Sequence, residues 1–146
     1  MKKNVVFSKL RKALQEMEVD LISHGSFHEV EYNGIVMLLN INETDGTFAV
    51  STYVFDTNGS LNEQSLDIAL EVIDDLYDCY SGGWNGGVPY FVSPAYHIGN
   101  GVVVTAEWLE MTLKEFWDAF MFLQANIHLM GDESVFSEMT EKDTKK

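Results

Sequence analysis

Residues 27–55 read FHEVEYNGIVMLLNINETDGTFAVSTYVF and contain two turn signals between three strand patterns. The first six residues alternate between polar and apolar side chains, which is typical of a half-exposed strand. Asn33 and Gly34 then favour a type I′ hairpin turn, because both central residues of that turn need a positive φ. Residues 35–42 are more continuously apolar and predict a central strand, and Asp45 with Gly46 predicts a second tight turn before a strand over 47–55. Two short turns in succession predict an antiparallel meander.

Helical periodicity flanks this meander on both sides. Apolar residues from Val6 to Leu21, spaced by three or four, predict a first helix, and Gly25 marks its end or the loop after it. Ser60 and Glu63 have the spacing of a capping box, so a second helix is predicted from about Leu61 to Tyr80. Its predicted buried stripe is Leu66, Leu70, Ile73, Leu76 or Tyr77, and Tyr80. A third helix is predicted to begin at the capping-box match of Thr112 and Glu115, or several residues earlier at Thr105, and to continue to Met130.

The second half of the chain predicts two further strands. Residues 82–87 hold four glycines and predict a flexible loop. Residues 90–98 predict a strand broken by Pro94, and Asn100 with Gly101 predicts a turn from which residues 102–104 pair back. The predicted fold class is therefore α+β, with the order α-βββ-α-ββ-α and a five-stranded antiparallel sheet on which the helices pack. Residues 1–130 are expected to form a single domain, and residues 131–146 a polar, frayed C-terminal tail.

This arrangement resembles the fold of the type III secretion chaperones, including their YbjN-like relatives. The resemblance covers residues 5–130. It depends on the turns at 33–34 and 45–46, the capped helix over 60–80, and the Gly-Val-Val-Val stretch at 101–104 that leads into residues 108–130. The resemblance implies a dimer that binds another polypeptide without catalysis. The glycine-rich loop at 82–87 departs from the family pattern.

Length and composition exclude several classes of protein. A chain of 146 residues that is 46% hydrophobic can bury the core of one domain and is too apolar for a disordered chain. Its longest apolar runs, such as residues 35–39, are far shorter than the ~18 residues that a membrane span needs. The single cysteine, Cys79, excludes an internal disulfide. With no secretory signal at the N-terminus, we expect a cytoplasmic protein.

The distribution of charge is more informative than the net charge of −14. Between Ala13 and Leu113 there are 16 acidic residues and no Lys or Arg. Such a surface repels nucleic acids and anionic membranes and attracts basic proteins. We therefore expect a partner protein with a basic surface, no direct binding of nucleic acid, and no membrane association.

The second helix carries the candidate partner-binding residues. Its acidic residues recur at intervals of three and four, which places them on one helical face, and Trp84 follows in the glycine-rich loop as a possible aromatic anchor. The predicted partner-binding set is Asp67, Glu71, Asp74, Asp75, Asp78 and Trp84. Two alternatives stay open, namely that the acidic face serves only solubility and that Trp84 folds back onto the core.

Motifs that carry catalysis are absent from the sequence. His24 and His28 fall on a turn and a strand and lack the His-Glu-x-x-His order of a helical zinc site. Cys79 has no cation within sequence reach that would activate its thiol, and the loop at 82–87 lacks the Lys of a phosphate-binding loop. We therefore expect no catalytic residues, no metal and no cofactor.

Two function hypotheses remain, besides a small enzyme that the composition disfavours. The first is a non-enzymatic, chaperone-like, acidic protein-binding module that docks a basic or amphipathic segment of another protein, with a homodimer as its possible state. The alternative is a phage- or toxin-directed inhibitor that blocks a nucleic-acid-binding enzyme by acidic mimicry.

Overall fold

The computed structural model describes residues 4–25, 27–56 and 58–131. The three helices are α1 (Val5–Glu16), α2 (Glu63–Leu76) and α3 (Ala106–Gly131). The strands are β1 (Leu21–Ser23), β2 (His28–Tyr32), β3 (Ile35–Asn42), β4 (Thr47–Tyr53), β5 (Ser81–Asn85), β6 (Val88–Val92) and β7 (Tyr96–His97). The α+β class with three helices and an antiparallel sheet is confirmed. The predicted frayed tail lies outside the described residues.

The prediction of five strands is wrong, since seven strands occur in the described part of the chain. Strand β1 is only three residues long, too short for its alternation to be visible in the sequence. Strand β5 occupies part of the predicted glycine-rich loop. Residues 102–104, which were predicted to pair back as a strand, have no regular secondary structure. The observed order is α-ββββ-α-βββ-α.

The chain divides into two compact units, each formed by two segments. The first unit consists of Met1–Thr52 and Val92–Asp118, and the second consists of Tyr53–Phe91 and Ala119–Lys146. The boundaries fall inside β4, β6 and α3. That residues 1–130 behave as a single folding domain stays a prediction.

The first unit contains the predicted meander. Its strands follow the order β1-β2-β3-β4 with antiparallel pairing, and β7 pairs with the start of β4. Alternation places Val30, Met37, Leu39, Phe48 and Val50 on one buried face of these strands. Helix α1 packs against β3.

Specific hydrogen bonds cap both ends of α1. The Glu43 carboxylate accepts hydrogen bonds from the backbone N–H groups of Val6 (2.9 Å) and Phe7 (3.0 Å), two donors that the helix cannot satisfy internally. At the other end Glu18 adopts a left-handed φ of 60°, and the Val19 N–H bonds to the Leu14 carbonyl. This Schellman arrangement ends α1 at Glu16, so the prediction that the helix continues through Leu21 is wrong, and Leu21 lies in β1 instead.

In the second unit, glycine allows α2 to approach β5 closely. A Cβ atom on Gly82 would lie 2.5 Å from the Tyr90 carbonyl oxygen and 3.0 Å from Leu70 Cδ2. Gly86 and Gly87, with φ of 58° and 83°, form the turn between β5 and β6. Glycines in this segment therefore belong to a strand on which a helix packs, and to the turn after it, instead of forming a flexible loop.

Helix α3 starts at the earlier of its two predicted positions. Within the first unit, the Thr105 hydroxyl accepts a hydrogen bond from the Trp108 N–H at 3.1 Å, which places Thr105 at the N-cap. Within the second unit, the Gln124 side chain accepts from the Phe55 N–H (2.7 Å) and donates to the Phe55 carbonyl (3.0 Å).

Candidate functional site

The N-terminus of α2 is capped two residues later than the sequence predicted. Asn62 accepts a hydrogen bond from the Ser65 N–H at 2.9 Å, and the Ser65 hydroxyl accepts one from the Asn62 N–H at 2.9 Å. Ser60, the predicted cap, instead donates its hydroxyl proton to the Ile127 carbonyl at 2.8 Å. As a result Glu63 is the first residue of α2 and its carboxylate adds to the acidic face.

The acidic face of α2 consists of Glu63, Asp67, Glu71, Asp74 and Asp75, all of which are exposed. The opposite face of the helix is buried through Leu66, Ala69 and Ile73. Four of the six predicted partner-binding residues, Asp67, Glu71, Asp74 and Asp75, thus share one solvent-facing side of a regular helix.

Asp78 does not belong to this helical face. Helix α2 ends at Leu76, and Tyr77 takes an extended backbone conformation that directs the chain away from the helix. Asp78 lies exposed in the following turn, before Cys79 with its φ of 66°. The prediction that the second helix continues to Tyr80 is therefore wrong.

Two apolar side chains are exposed on the same helix. Ile68 is 44% exposed and Leu76 is 60% exposed. Ile68 lies two turns before Asp75, so both residues project from the same side of α2. Of the two alternatives for the buried stripe, the inward residue is Tyr77, whose ring lies 5.8 Å from that of Tyr80.

The sequence analysis missed Ile68. The available signal was that Ile68 does not fit the stripe of Leu66, Ala69 and Ile73, from which it is displaced by about 100° or more around the helix. Because Ile68 lies outside the buried stripe, it adds an apolar side chain to the acidic face and makes that face amphipathic.

The second unit has an unusually one-sided charge. Its described residues contain no Lys or Arg and seven acidic residues, the five on the α2 face together with Asp56 and Asp78. All seven acidic residues are exposed. Because no cation of these residues offsets them, the carboxylates produce a negative field that salt screens but does not reverse.

Trp84 lies in strand β5 and is half-buried. Its predicted place on a mobile glycine loop is wrong, because β5 forms a hairpin with β6 and packs against α2. This packing places Trp84 in the same unit as the acidic face, on the strand next to the helix that carries it.

Comparison with known proteins shows the fold. No family model matches the chain, and no curated protein matches its sequence. The crystal structure of YbjN from E. coli, a proposed transcription regulator, superimposes with a TM-score of 0.57. The alignment covers 84% of this chain and 93% of that chain, at 15% sequence identity. The chain has a YbjN-like fold.

The likeness to YbjN confirms one half of the predicted resemblance. At 15% identity it shows the architecture alone, and the link to type III secretion chaperones stays a prediction. None of the helices among the described residues is long and apolar enough to cross a membrane.

Shallow grooves lie on the described part of the first unit, three of them beside α1 and β1. The first, with a volume of about 330 Å³, lies at the N-terminus of α1, where the Glu43 carboxylate already occupies the position that an anion would take. The second and third have volumes of about 370 and 460 Å³ and lie beside β1. Within 4–25, 27–56 and 58–131, no group of three or more His, Cys, Asp or Glu side chains is placed to hold a metal ion.

The histidines of the β1–β2 hairpin make local contacts. His24 Nε2 lies 3.2 Å from a Glu29 carboxylate oxygen, and His28 Nδ1 lies 2.9 Å from the Ser23 hydroxyl. Burial, and then the nearby His24, lowers the pKa of His28. The Phe7 ring stands 4.7 Å from the His28 ring, so the neutral form of His28 suits this apolar contact.

Proposed function

We propose that this chain is a non-enzymatic protein-binding module that docks a basic or amphipathic segment of another protein on the acidic face of α2. The observation that supports the proposal most strongly is the exposure of seven carboxylates, with no Lys or Arg among the described residues of the same unit. Like charges at positions i and i+4 destabilise a free helix by about 0.2–0.5 kcal/mol per pair. A partner that supplies Lys or Arg would relieve this repulsion.

Charge also acts before contact is made. A negative surface attracts a basic partner over roughly the Debye length, about 8 Å at physiological salt, and so accelerates association. We therefore assign Asp67, Glu71, Asp74 and Asp75 mainly to the encounter with the partner. Asp78 contributes from the turn at the end of α2.

Ile68 gives the same surface a contact that charge alone would not provide. It can pack against an apolar side chain of the partner, at about 25 cal/mol per Å² of apolar area removed from water. For this reason the proposed partner segment is amphipathic as well as basic. Trp84 is assigned a supporting role next to the helix, because it is already half-buried.

Several finer parts of the account are proposals of the same kind. They are the chaperone-like role, a homodimeric state, a cytoplasmic location and the absence of catalysis. The neighbour YbjN is described as a proposed transcription regulator, which supports a binding or regulatory type of role. No specific observation favours acidic mimicry of a nucleic acid, so that alternative becomes an outcome of the test below.

The experiment is affinity capture of the partner from the native host, followed by measurement of its dissociation constant with two variants. The first combines Asp67→Asn, Glu71→Gln, Asp74→Asn and Asp78→Asn. The control combines Glu16→Gln, Glu107→Gln, Glu110→Gln and Glu115→Gln, which removes the same charge from exposed sites in the first unit.

The proposal predicts that the first variant binds at least about tenfold more weakly at low salt, whereas the control binds nearly as well as the wild type. Equal weakening by both variants would show that only net charge matters. If neither variant weakens binding, the acidic face is a solubility feature. A captured partner that is a nucleic-acid-binding enzyme, inhibited by the wild type and not by the first variant, would favour the mimicry alternative.

A further inference from the structure

The first unit has a second exposed surface, on the face of β1–β4 opposite the buried core residues. The strand register aligns Ile22, Glu29, Leu38 and Ser51 in one row across four strands. Val36 lies beside Glu31 in the next row, and Ala49 beside Asn40 in the row on the other side. We refer to these eight residues as the outer sheet face.

The centre of the outer sheet face is apolar. Val36 on β3 is 45% exposed, and Leu38 on β3 and Ala49 on β4 are half-buried. Ile22, which is 51% exposed, stands apart on β1, on the far side of Glu29. Strands lie about 4.8 Å apart, so four strands present a width of about 14 Å. An α-helix with its side chains is about 10–12 Å across, which fits this width.

Carboxylates border the apolar centre on one side. Glu29 and Glu31 stand on β2, and a groove of about 370 Å³ adds Glu18 and Asp20 from the segment between α1 and β1. Glu29 contacts His24, which is charged only when protonated. The eight residues of the outer sheet face include no Lys or Arg.

We propose that the outer sheet face of the first unit docks a basic amphipathic α-helix of a partner protein. The apolar side of that helix would cover Val36, Leu38 and Ala49 on β3 and β4. Its Lys or Arg residues would reach Glu29 and Glu31 on β2 and the carboxylates along the groove. Charge complementarity identifies this occupant, because a second copy of the chain in a two-fold contact would bring together two faces that each carry Glu29 and Glu31 and no Lys or Arg. The inference does not depend on the acidic face of α2.

The test uses a defined probe, a fluorescein-labelled 18-residue peptide of Leu and Lys with the Leu residues at helical spacing. Fluorescence anisotropy gives its dissociation constant for the wild type and for two double variants, Val36→Thr with Leu38→Thr and Glu29→Gln with Glu31→Gln. Threonine is a β-branched residue that suits a strand, and it removes apolar contact at both positions. Circular dichroism checks that each variant is folded.

The controls place one Val→Thr change and one pair of Glu→Gln changes at other exposed sites of the first unit. Val103→Thr alters a valine that is 84% exposed, and Glu107→Gln with Glu115→Gln removes two exposed carboxylates from α3. The proposal predicts that each outer-sheet-face variant weakens peptide binding by about tenfold, and that the controls change it less than about twofold.

The variant that combines Asp67→Asn, Glu71→Gln, Asp74→Asn and Asp78→Asn separates this inference from the proposed function. If that variant alone loses the peptide, the outer sheet face is not the docking surface, although the α2 proposal stands. If the controls lose as much as the outer-sheet-face variants, the binding is non-specific and the inference is wrong. Sedimentation tests the remaining occupant, a second copy of the chain. If the wild type self-associates and the variant Val36→Thr with Leu38→Thr does not, the inference is overturned in favour of a second copy.

Discussion

Neutralising one carboxylate at each end of α2 should change stability in opposite directions. Glu63 lies in the first turn of the helix, and Asp74 lies in the last turn, which contains no basic residue. The helix dipole favours a negative charge at the N-terminus and disfavours one at the C-terminus. Glu63→Gln and Asp74→Asn therefore remove the same charge from one helix in electrostatically opposite places.

The magnitudes follow from two contributions. Asp74→Asn removes a dipole penalty of about 0.3–1 kcal/mol and a like-charge contact with Glu71 worth about 0.2–0.5 kcal/mol, so the free energy of unfolding should rise by about 0.5–1.5 kcal/mol. Glu63→Gln loses a favourable dipole term of similar size but relieves the contact with Asp67. With the middle value of each range, its free energy of unfolding should fall by about 0.3 kcal/mol.

The assay is urea unfolding at low ionic strength, followed by far-UV circular dichroism and tryptophan fluorescence. A difference of about 1 kcal/mol between the two variants shifts the midpoint by about 0.5 M urea for a protein of this size. The difference should shrink at about 0.5 M sodium chloride, where screening shortens the range of the charges. If Asp74→Asn destabilises the protein, that carboxylate makes a stabilising contact, and the reasoning that the acidic face is under repulsion is refuted.

Three further predictions concern contacts outside the acidic face. Gly82→Ala should cost about 1–3 kcal/mol in thermal or urea unfolding because its Cβ would press on backbone, whereas Gly83→Ala should cost less because the nearest atom, at 3.2 Å, is the Tyr90 hydroxyl, which can move. Glu43→Gln should lower the free energy of unfolding by about 1–2 kcal/mol, because it removes the charged cap of α1. A variant as stable as the wild type would show that water can replace this cap. The lowered pKa of His28 means that its contribution to stability is complete above the ordinary value of 6.5 and is lost as the pH falls through the lower folded-state pKa. The melting temperature of the wild type should therefore fall relative to that of His28→Gln between about pH 7.5 and pH 5.5, and parallel curves would contradict this.

The sequence predicted correctly those elements whose position depends on neighbouring residues in the chain, such as turns and helical periodicity. Strand β3 begins and ends at the predicted residues, because Asn33 with Gly34 and Asp45 with Gly46 fix the turns on either side. The acidic spacing of α2 likewise depends only on helical periodicity. The sequence therefore predicted the location of most of the candidate site.

The errors occur where tertiary contacts override a local pattern. Four glycines predicted a loop, yet Gly82 lies in β5, where the absence of a side chain lets α2 pack closely on the strand. The local sequence does not show that a helix packs there. Residues 102–104 have the composition of a strand, but the Val102 carbonyl accepts a hydrogen bond from the Lys9 ammonium at 2.6 Å, and residues 102–104 form no ladder. Asn62 and Ser60 are equally good caps by residue type, and the contact of Ser60 with Ile127 in α3 decides between them.

The central claim is that the acidic face of α2 attracts and binds a basic partner segment. It is tested most directly by the association rate constant of the captured partner, measured by stopped flow at about 20 and 300 mM salt. For the wild type and the first-unit charge control, the rate constant should fall steeply with added salt. For the variant combining Asp67→Asn, Glu71→Gln, Asp74→Asn and Asp78→Asn, it should start at least about tenfold lower and depend only weakly on salt. A rate constant and salt dependence equal to those of the wild type would contradict the claim.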